Sequence, residues 1–335
     1  MVVVPLPINL NKAFVNFPEK KEEITENGSK IIIYYPKYVS VGQAGTFMQK
    51  ARVRFTTAKF IKAVNKVLSE LKEKPDVLYS HFICPAGVAA SRLGKKYGIP
   101  AFMAHGEATY SGGKKYGNQV LAKELNGLKG VIAVSSQNKS YCVDNGIVPE
   151  DIIEVFPNGY RPERFYKRDK KEARKKFGLP EDKFIVGFCG SFDERKGILR
   201  LQEAVNQLEE VYFVCAGKGK LFPDSSKCLL AKSVNNDELA WFYSALDIFV
   251  LPTEHEGCCN AIVEAIACGC PIISSDCSFN YDICDKTNSI LVDPDNVEEI
   301  KNAIQKLYDN ETLRAQMSKG SISKSKNLTL NNRAK

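Results

Sequence analysis

Short apolar runs alternate with helical patterns along most of the chain, and this alternation restricts the possible folds more than any other feature. The runs that resemble strands lie at residues 2–4, 31–35, 76–80, 101–104, 130–134, 152–155, 184–188, 211–216, 247–251, 272–275 and 288–292. Helical patterns separate many of them, as at 87–97, 198–208 and 297–308, while 36–46 reads as a loop. Because parallel strands need a crossover, usually a helix, the alternation predicts parallel α/β sheets.

The pattern changes near residues 160–182. Residues 167–176 are dense in charge, and a Gly-Leu-Pro sequence that breaks the helical spacing follows them. A length of 335 residues also suits two domains. We therefore expect two Rossmann-like domains, residues 1–165 and residues 166–335, which bind ligands beyond the carboxyl ends of their strands.

The stretch from residue 254 to residue 276, EHEGCCNAIVEAIACGCPIISSD, carries the most distinctive pattern. Its segment Asn260–Ala267 reads as a helix that is apolar on almost every side and is therefore buried. We expect Asn260 to cap the start of this helix, and Gly269 followed by Pro271 to end it. A short buried strand should come next.

Glu264 is the one charged residue in this apolar helix. Burying a carboxylate is costly unless a donor reaches it, so some group must donate to Glu264. The start of the helix offers free N–H groups, which suit phosphates, and carboxylates such as Glu256 and Glu264 suit sugar hydroxyls. A nucleotide sugar carries both kinds of group. The alternative is a buried Glu paired with an Arg or a Lys elsewhere in the chain.

The same stretch resembles the E-x7-E signature of the large family of retaining glycosyltransferases with the GT-B fold, known as family 4. The likeness covers the Glu-Gly start, the second Glu, the sequence EAIACGCPII and their spacing. It implies two Rossmann-like domains facing across a cleft and a nucleoside-diphosphate sugar as donor. It places Glu256 against the donor sugar and Glu264 on the ribose hydroxyls. It also implies that the backbone between them faces the diphosphate and the sugar, at Gly257, Cys258, Cys259, Asn260 and Ala261.

A loop of sequence GSFDERKG, which begins at Gly190, follows a predicted strand. Many family members have an Arg directly after this Gly and a Lys five residues later, and the pair neutralises the donor diphosphate. Lys196 matches the Lys, but Ser191 stands at the position of the Arg. The adjacent Arg195 is a candidate substitute, although neighbouring side chains are expected to point in different directions. Without the resemblance, a solvated basic loop is the simpler interpretation.

Three further residues belong to the site that the resemblance implies. His105 follows a predicted strand in a His-Gly context, which in the family lies near the donor sugar, and Glu107 beside it is a candidate acceptor residue. Val234 lies in a loop whose backbone contacts the base in family members. The alternative for His105 is a hydrogen-bonded structural histidine.

The activity implied is transfer of a sugar to an acceptor hydroxyl with retention of anomeric configuration, in polysaccharide or glycolipid synthesis, with no cofactor and no metal. The catalytic residues would be His105, Glu256 and Lys196. Residues 293–295 spell Asp-Pro-Asp, a form that holds a metal in other glycosyltransferases. Here they stand between a predicted strand and a predicted helix, where turn and cap chemistry is expected.

Two departures from the family leave other functions open. The run at residues 2–4 resembles the second strand of the family's first domain, so we expect the opening strand and its Gly-rich loop to be missing. Residues 321–335 are polar and are expected to fray before any last helix. The alternatives are a nucleotide-sugar-binding protein with little or no activity and a GT-B-like nucleotide-sugar epimerase. A dehydrogenase is disfavoured, because no G-x-G-x-x-G opens a helix after a strand.

The net charge is +8, and residues 50–74 hold eight basic residues against two acidic ones on a predicted helix with an apolar face. A solvated helix docked on its domain is the favoured interpretation. The functional alternative is contact with an anionic membrane surface or a lipid-diphosphate acceptor. Nucleic acid is disfavoured as a partner, because no nucleic-acid motif or interleaved aromatic pattern occurs.

Eleven cysteines are scattered along the chain. No secretory signal is recognisable, and no run of eighteen apolar residues occurs, so we expect a cytoplasmic protein with reduced thiols. The cysteines near residues 258–277 lack paired C-x2-C spacing and nearby histidines, which disfavours a zinc site.

Overall fold

The computed structural model describes residues 1–8, 14, 16–25, 27–41 and 48–334. The chain forms two compact units. The first comprises the residues up to Ala133 and the segment Asn138–Val155, and the second comprises the segment Val134–Gln137 and the residues from Phe156 onward. The chain therefore passes from one unit to the other near residues 133–138 and again at residue 156.

The first unit contains nine strands and five helices among its described residues, in an order that matches much of the predicted alternation. The elements are β1 Val2–Val3, β2 Leu6–Ile8, β3 Lys20–Ile24, β4 Lys30–Tyr34, β5 Lys37–Val39, α1 Gln49–Glu70, β6 Leu78–His81, α2 Val88–Tyr97, β7 Ala101–His105, α3 Ser111–Tyr116, α4 Asn118–Leu125, β8 Leu128–Ala133, α5 Ser136–Asp144, whose first two residues belong to the second unit, and β9 Ile153–Val155. Strands β6, β7, β8 and β9 form one parallel sheet in chain order.

Two predictions for the first residues were wrong. Residues 37–39, within the predicted loop, form β5, which pairs with β2 in parallel. Strand β3 pairs with β4 in antiparallel orientation, so the strands are not parallel throughout. The two strands are antiparallel because the turn between them is short. A short turn joins neighbouring strands as a hairpin, whereas parallel strands need a longer crossover. The rest of that loop, residues 42–46, lies outside the described residues. The expected absence of a strand before residue 2 remains a prediction.

The second unit is built on a six-stranded parallel sheet. Its elements are α6 Lys170–Phe177, β10 Phe184–Cys189, α7 Ile198–Asn206, β11 Val211–Ala216, β12 Cys228–Lys232, α8 Leu239–Ser244, β13 Ile248–Leu251, α9 Asn260–Ala267, β14 Ile272–Ser275, β15 Ser289–Val292, α10 Val297–Asp309, α11 Glu311–Ser325 and α12 Leu330–Arg333. The strand order is β12-β11-β10-β13-β14-β15, which is the order of a dinucleotide-binding Rossmann sheet. The order reverses between β10 and β13, and ligands of such sheets bind at this point.

The prediction that the last residues fray was also wrong for residues 321–334, which the structure describes. Helix α11 runs through Ser325, and the Ser321 hydroxyl, fully buried, donates to the Cys270 carbonyl oxygen at 2.6 Å. Leu328 is buried as well, and its carbonyl oxygen accepts from the Tyr160 N–H at 2.9 Å. The polar composition was misleading, because small serines bury well where a hydroxyl finds a backbone acceptor.

Candidate functional site

The loops after β10 and β13 meet at the reversal point of the second sheet. β10 leads into Gly190 and the short helical turn Glu194–Lys196, and β13 leads into the segment that carries Glu256. A third loop, which follows β11 and begins with Gly217, packs closely against the loop after β10. A Cβ on Gly217 would lie 1.9 Å from the Gly190 carbonyl oxygen. Glycine is therefore required at residue 217 for the loop after β11 to approach the loop after β10.

Glu256 lies between two cations. Its Oε1 is 2.6 Å from the Arg195 Nη1 and 2.6 Å from the Lys196 Nζ, and the Thr253 hydroxyl donates to the same oxygen at 3.1 Å. The Arg195 Nη1 also donates to the His255 carbonyl oxygen. The expectation that Arg195 and Lys196 point in different directions was wrong, because the tight turn lets both long side chains reach one carboxylate.

Lys196 is only 9% exposed. Burial opposes its charge, but the Cys259 sulfur and the Glu256 carboxylate favour it and outweigh burial, so the pKa of Lys196 lies above its ordinary value. The Lys196 side chain runs over Gly190, where a Cβ would stand 3.4 Å from the lysine Cδ. This buried lysine is therefore a fixed positive charge at the reversal point.

Ser191, at the position where the resemblance predicts an arginine, has a local role. Its hydroxyl donates to the Asp193 Oδ2 at 2.5 Å, while the Asp193 Oδ1 accepts from the Lys196 N–H at 3.0 Å. Burial raises the pKa of Asp193, but these two hydrogen bonds and the nearby Arg195 and Lys196 outweigh it, so the pKa lies below its usual value. Ser191 and Asp193 thus hold the turn that presents Arg195 and Lys196.

Helix α9 begins at Asn260, in agreement with the predicted span, but Asn260 does not cap it. The residue before the helix is Cys259, in extended conformation, and Asn260 is already helical. The Asn260 Oδ1 instead accepts from the Asn158 Nδ2 at 2.8 Å, so a tertiary contact uses the oxygen that a cap would need. The predicted end of the helix is confirmed, because Gly269 has φ +77°, a left-handed conformation that favours glycine.

Tyr243 supplies the donor that Glu264 needs. The tyrosine hydroxyl donates to the Glu264 Oε2 at 2.9 Å. Burial raises the pKa of Glu264, and the tyrosine and Arg164 only partly counteract it. The partner of this half-buried carboxylate is therefore a tyrosine, with Arg164 acting through its charge.

Glu264 also lines a cavity of about 240 Å³ in the second unit. The polar residues that line it with Glu264 are Tyr160, Arg161, Arg164, Asn236 and Asn260. Gly257, Cys258 and Cys259 are buried beside the start of α9, and Ala261 is half-buried. Val234 packs against the core of the second unit. Carboxylate, amide and guanidinium groups around one cavity suit a ligand with hydroxyls and negative charge.

In the first unit, His105 is the last residue of β7 and is fully buried. Its Nδ1 lies 2.9 Å from the Glu107 Oε2, and its Nε2 lies 3.4 Å from the Asn138 Nδ2. The Glu107 Oε1 accepts from the Ile83 N–H at 3.2 Å. The Glu107 side chain is 19% exposed, so of these two predicted residues Glu107 is the one with surface to offer a ligand.

Sequence reasoning did not assign ligand roles to several residues at these sites. Tyr243, Arg161, Arg164 and Asn236 all contact Glu264 or line its cavity, and Thr253 contacts Glu256. They lie far from the signature along the chain or have ordinary residue types. The one usable signal was position, since the two arginines closely follow the Pro-Asn-Gly turn at residues 157–159.

The Asp-Pro-Asp sequence forms the turn that was expected. The Asp293 Oδ1 accepts from the Asp295 N–H at 3.0 Å, and the Asn296 side chain caps α10. Among the described residues, no three His, Cys, Asp or Glu side chains group as metal ligands. All eleven cysteines are free thiols.

Comparison with known proteins identifies both halves of the chain. Residues 23–164 match the sequence profile described as "Glycosyltransferase Family 4", and residues 169–324 match the profile "Glycosyl transferases group 1". The chain is 26% identical over 291 residues to the "Putative teichuronic acid biosynthesis glycosyltransferase TuaC" of Bacillus subtilis. The aligned residues cover 84% of this chain and 72% of that protein.

A second relative, from Escherichia coli, is named as a UDP-Gal:alpha-D-GlcNAc-diphosphoundecaprenol alpha-1,3-galactosyltransferase. It is 27% identical over 270 residues, which cover 72% of this chain and 68% of the relative.

Solved structures share the fold. The sucrose-phosphate synthase of Thermosynechococcus elongatus superposes with a TM-score of 0.74 at 20% identity, over 95% of this chain and 84% of that one. Anabaena HepE in complex with UDP superposes with a TM-score of 0.71 at 14% identity, over 90% and 83%. The two units are accordingly the Rossmann-like domains of the GT-B fold. With a family 4 domain in the first half and a group 1 domain in the second, the chain is a glycosyltransferase.

Proposed function

We propose that this glycosyltransferase takes a sugar from a nucleoside-diphosphate sugar and transfers it to an acceptor hydroxyl with retention of configuration and without a metal. The acceptor would belong to a cell-surface polysaccharide or glycolipid, as the names of the Bacillus subtilis and Escherichia coli relatives suggest. The observation that carries the proposal is the grouping of Arg195, Lys196 and Glu256 beside the start of α9.

This grouping has the charge that a diphosphate requires. Two cations share one carboxylate, which leaves one excess positive charge. The first turn of α9 adds N–H groups without intrahelical acceptors and the positive end of the helix dipole. A departing diphosphate would accept hydrogen bonds from Arg195 and Lys196, so the protein itself would stabilise the leaving group without a metal.

The carboxylates would then hold the sugars. Glu256 would accept from hydroxyls of the transferred sugar, and Glu264 would use the oxygen not engaged by Tyr243 to accept from the ribose. No protein nucleophile is required if a diphosphate oxygen accepts the acceptor's proton on the face from which the diphosphate leaves. Because bond formation and bond breaking then share one face, the anomeric configuration is retained.

In the first unit, we assign the acceptor hydroxyl to Glu107. His105 would act through Glu107, because its ring is fully buried and its Nδ1 faces that carboxylate. Val234 and Asn236 lie in the loop and turn between β12 and α8, and this loop would meet the base.

The test uses the whole chain in buffer containing EDTA. Melting temperature is measured against a panel of nucleoside diphosphates and nucleotide sugars, and the preferred donor is then offered with lipid-diphosphate acceptors. A ligand at 100 times its Kd adds about 2.7 kcal/mol to the free energy of unfolding. The anomeric configuration of the product is read by NMR. An inverted product, or activity that appears only when a divalent metal is restored, would contradict the corresponding part of the proposal.

A second candidate, binding without turnover, is favoured by Ser191, which stands where the resemblance predicts an arginine. It predicts a melting-temperature shift with neither transfer nor hydrolysis of the donor. Assay of the wild-type chain distinguishes the two functions, because measurable transfer to an acceptor or hydrolysis of the donor would exclude binding without turnover.

We further propose that α1 makes a peripheral contact with an anionic membrane. The helix carries Lys59, Lys62 and Lys66 together with Phe55, which is 44% exposed; Lys62 and Lys66 are exposed and Lys59 is half-buried. The Lys59 Nζ lies 5.0 Å from the centre of the Phe55 ring. No helix in the described part of the chain is long and apolar enough to span a bilayer. Cations beside an exposed aromatic ring suit the interface of an anionic membrane.

Vesicle co-sedimentation tests this contact. Vesicles containing phosphatidylglycerol should bind the protein at low salt, while pure phosphatidylcholine vesicles should not. The triple change Lys59→Glu, Lys62→Glu and Lys66→Glu should release it. A control triple with the same charge change, Lys171→Glu, Lys306→Glu and Lys319→Glu, should keep binding. If both triple variants lost vesicle binding equally, the binding would depend on net charge alone. That result would refute a specific role of α1.

A further inference from the structure

Asn158 contacts the start of α9 through its backbone and its side chain. Its Nδ2 donates to the Cys258 carbonyl oxygen at 3.0 Å and to the Asn260 Oδ1 at 2.8 Å. Its backbone N–H lies 3.4 Å from the Cys258 Sγ. The side-chain amide therefore uses both of its donors on the segment that precedes and opens α9.

Arg333 determines the orientation of that amide. Its Nη1 donates to the Asn158 Oδ1 at 2.7 Å and to the Pro157 carbonyl oxygen at 3.1 Å. A guanidinium can only donate, so the oxygen of the Asn158 amide must face Arg333 and the nitrogen must face α9. If the amide turned over, its NH2 group would meet the arginine and its oxygen would meet two acceptors.

The backbone around Arg333 is held against the same turn. The Leu330 N–H donates to the Tyr160 carbonyl oxygen at 2.9 Å, and the Tyr160 N–H donates to the Leu328 carbonyl oxygen at 2.9 Å. A Cβ on Gly159 would lie 3.0 Å from the Leu330 nitrogen, so the two segments are in close contact. The backbone hydrogen bonds between these two segments therefore place Arg333 close to Asn158. They add to the hydrogen bonds that the arginine side chain makes itself.

The same network orients Asn260, which lines the cavity with Glu264. The Asn260 Oδ1 is directed at Asn158. Because the oxygen and nitrogen of an amide point in different directions, the Asn260 Nδ2 is turned away from Asn158. The amide NH2 is therefore the group that Asn260 can offer to a ligand in the cavity it lines with Glu264, and such a donor suits a phosphate or hydroxyl oxygen.

We infer that Arg333 and Asn158 are positioning residues that set the amide of Asn260 as a donor to the nucleoside-diphosphate part of the donor substrate. The inference rests on the proposed function and adds residues to its site. Arg333 acts on the ligand through two side chains, Asn158 and Asn260, and no direct contact with the ligand is required.

A double-mutant cycle on the full chain tests the inference, with calorimetric Kd for UDP, GDP and ADP as readout. Arg333→Gln should weaken the best of these about tenfold, as for loss of one well-placed hydrogen bond to a charged ligand. Arg333→Lys should recover most of the affinity, because an ammonium can still donate to both oxygens. In an Asn260→Ala background, Arg333→Gln should have no further effect on Kd.

Lys326→Gln is the matched control, because it removes a positive charge from an exposed residue near Arg333 in the chain and should leave Kd unchanged. If Arg333→Gln weakens binding equally with and without Asn260, the arginine acts independently and the inference is wrong. A fall in melting temperature at unchanged Kd would show a purely structural role and would also overturn it. Failure of the wild-type chain to bind any nucleoside diphosphate would instead refute the proposed function on which the inference rests.

Discussion

Glu264 is a carboxylate in a setting that opposes its charge. Burial raises its pKa, and Tyr243 and Arg164 counteract this only in part. A raised pKa means that the folded state holds the proton more tightly than the unfolded state. The folded state is therefore penalised increasingly as pH rises from the ordinary carboxyl pKa through the raised one. A residue that costs stability in this way is expected to be kept for a ligand.

We therefore predict that Glu264→Gln raises the melting temperature of the ligand-free protein and weakens nucleoside diphosphate binding. The gain in melting temperature should increase as pH rises above the ordinary carboxyl pKa, because the wild-type carboxyl, whose pKa is raised, loses its proton as pH rises. Scanning calorimetry at several pH values measures it. Glu209→Gln, at an exposed position, should show neither effect. A lower melting temperature for Glu264→Gln at pH 7 would contradict this view of the residue.

Lys196 and Arg195 share one carboxylate but differ in burial. The Lys196 side chain is 11% exposed and the Arg195 side chain is 37% exposed. A charge removed from water stabilises a developing charge more strongly than an exposed one.

Accordingly, Lys196→Ala should lower kcat/KM by roughly a hundredfold or more, and Arg195→Ala by a smaller factor. Steady-state kinetics with the preferred donor measure both. Lys175→Ala, an exposed lysine on α6, should stay close to the wild type. If Arg195→Ala were the more damaging change, the exposed arginine would be the main partner of the diphosphate.

At the level of elements, the turn before β15 is tied to α11. The Asp285 Oδ1 accepts from the N–H and the hydroxyl of Thr287, and its Oδ2 accepts from the Lys324 Nζ at 3.0 Å. Hydrogen bonds from the Thr287 hydroxyl, from the Thr287 N–H and from Lys324 favour the charged form of Asp285. Together they outweigh the effect of burial and lower the pKa of Asp285 to about 2. This carboxylate therefore connects the turn before the edge strand β15 to α11.

We predict that Asp285→Asn lowers the melting temperature at neutral pH. The lowered pKa stabilises the folded state above the ordinary pKa, near 4, and this contribution is lost as pH falls toward about 2. The difference between variant and wild type should therefore shrink between pH 5 and about pH 3. The effect should be modest, because the Asp285 side chain is 41% exposed. Thermal melts at both pH values test it, and a constant difference would exclude this carboxylate as its source.

At the level of the whole molecule, the proposed donor site belongs to one of the two units. Gly190, Lys196, Glu256 and Glu264 all lie in the second unit. Binding of a nucleoside diphosphate should therefore slow amide hydrogen exchange mainly there.

Hydrogen exchange with mass spectrometry on the full chain measures this. With saturating nucleoside diphosphate, protection should increase in the loop at residues 190–197 and in the segment 254–264, which includes the first turn of α9. Peptides of the first sheet, β6 to β9, should change little. Glu264→Ala should abolish the added protection. Protection confined to the first unit would contradict the assignment of the donor site.

The sequence predicted α9, β11 and β14 with the correct bounds, because dense apolar runs that have a glycine or a proline near one end leave few alternatives. It missed β12 and β5, whose short runs lack clear periodicity. It also misjudged residues 321–334, where burial depends on single serine hydroxyls that find a distant carbonyl. Local pattern thus predicted the buried elements better than the peripheral ones.

The sequence alone determined the fold class and the pair of glutamates in the signature, since periodicity and motif spacing are local properties of the chain. Only the tertiary structure decided the partners. In the folded chain, Arg195 and Lys196 both contact one oxygen of Glu256. Tyr243 donates to Glu264, and Asn260 accepts from Asn158 instead of capping α9. The physical reason is that hydrogen bonds and ion pairs depend on distances of about 3 Å between groups far apart in sequence, and only the packed fold sets those distances.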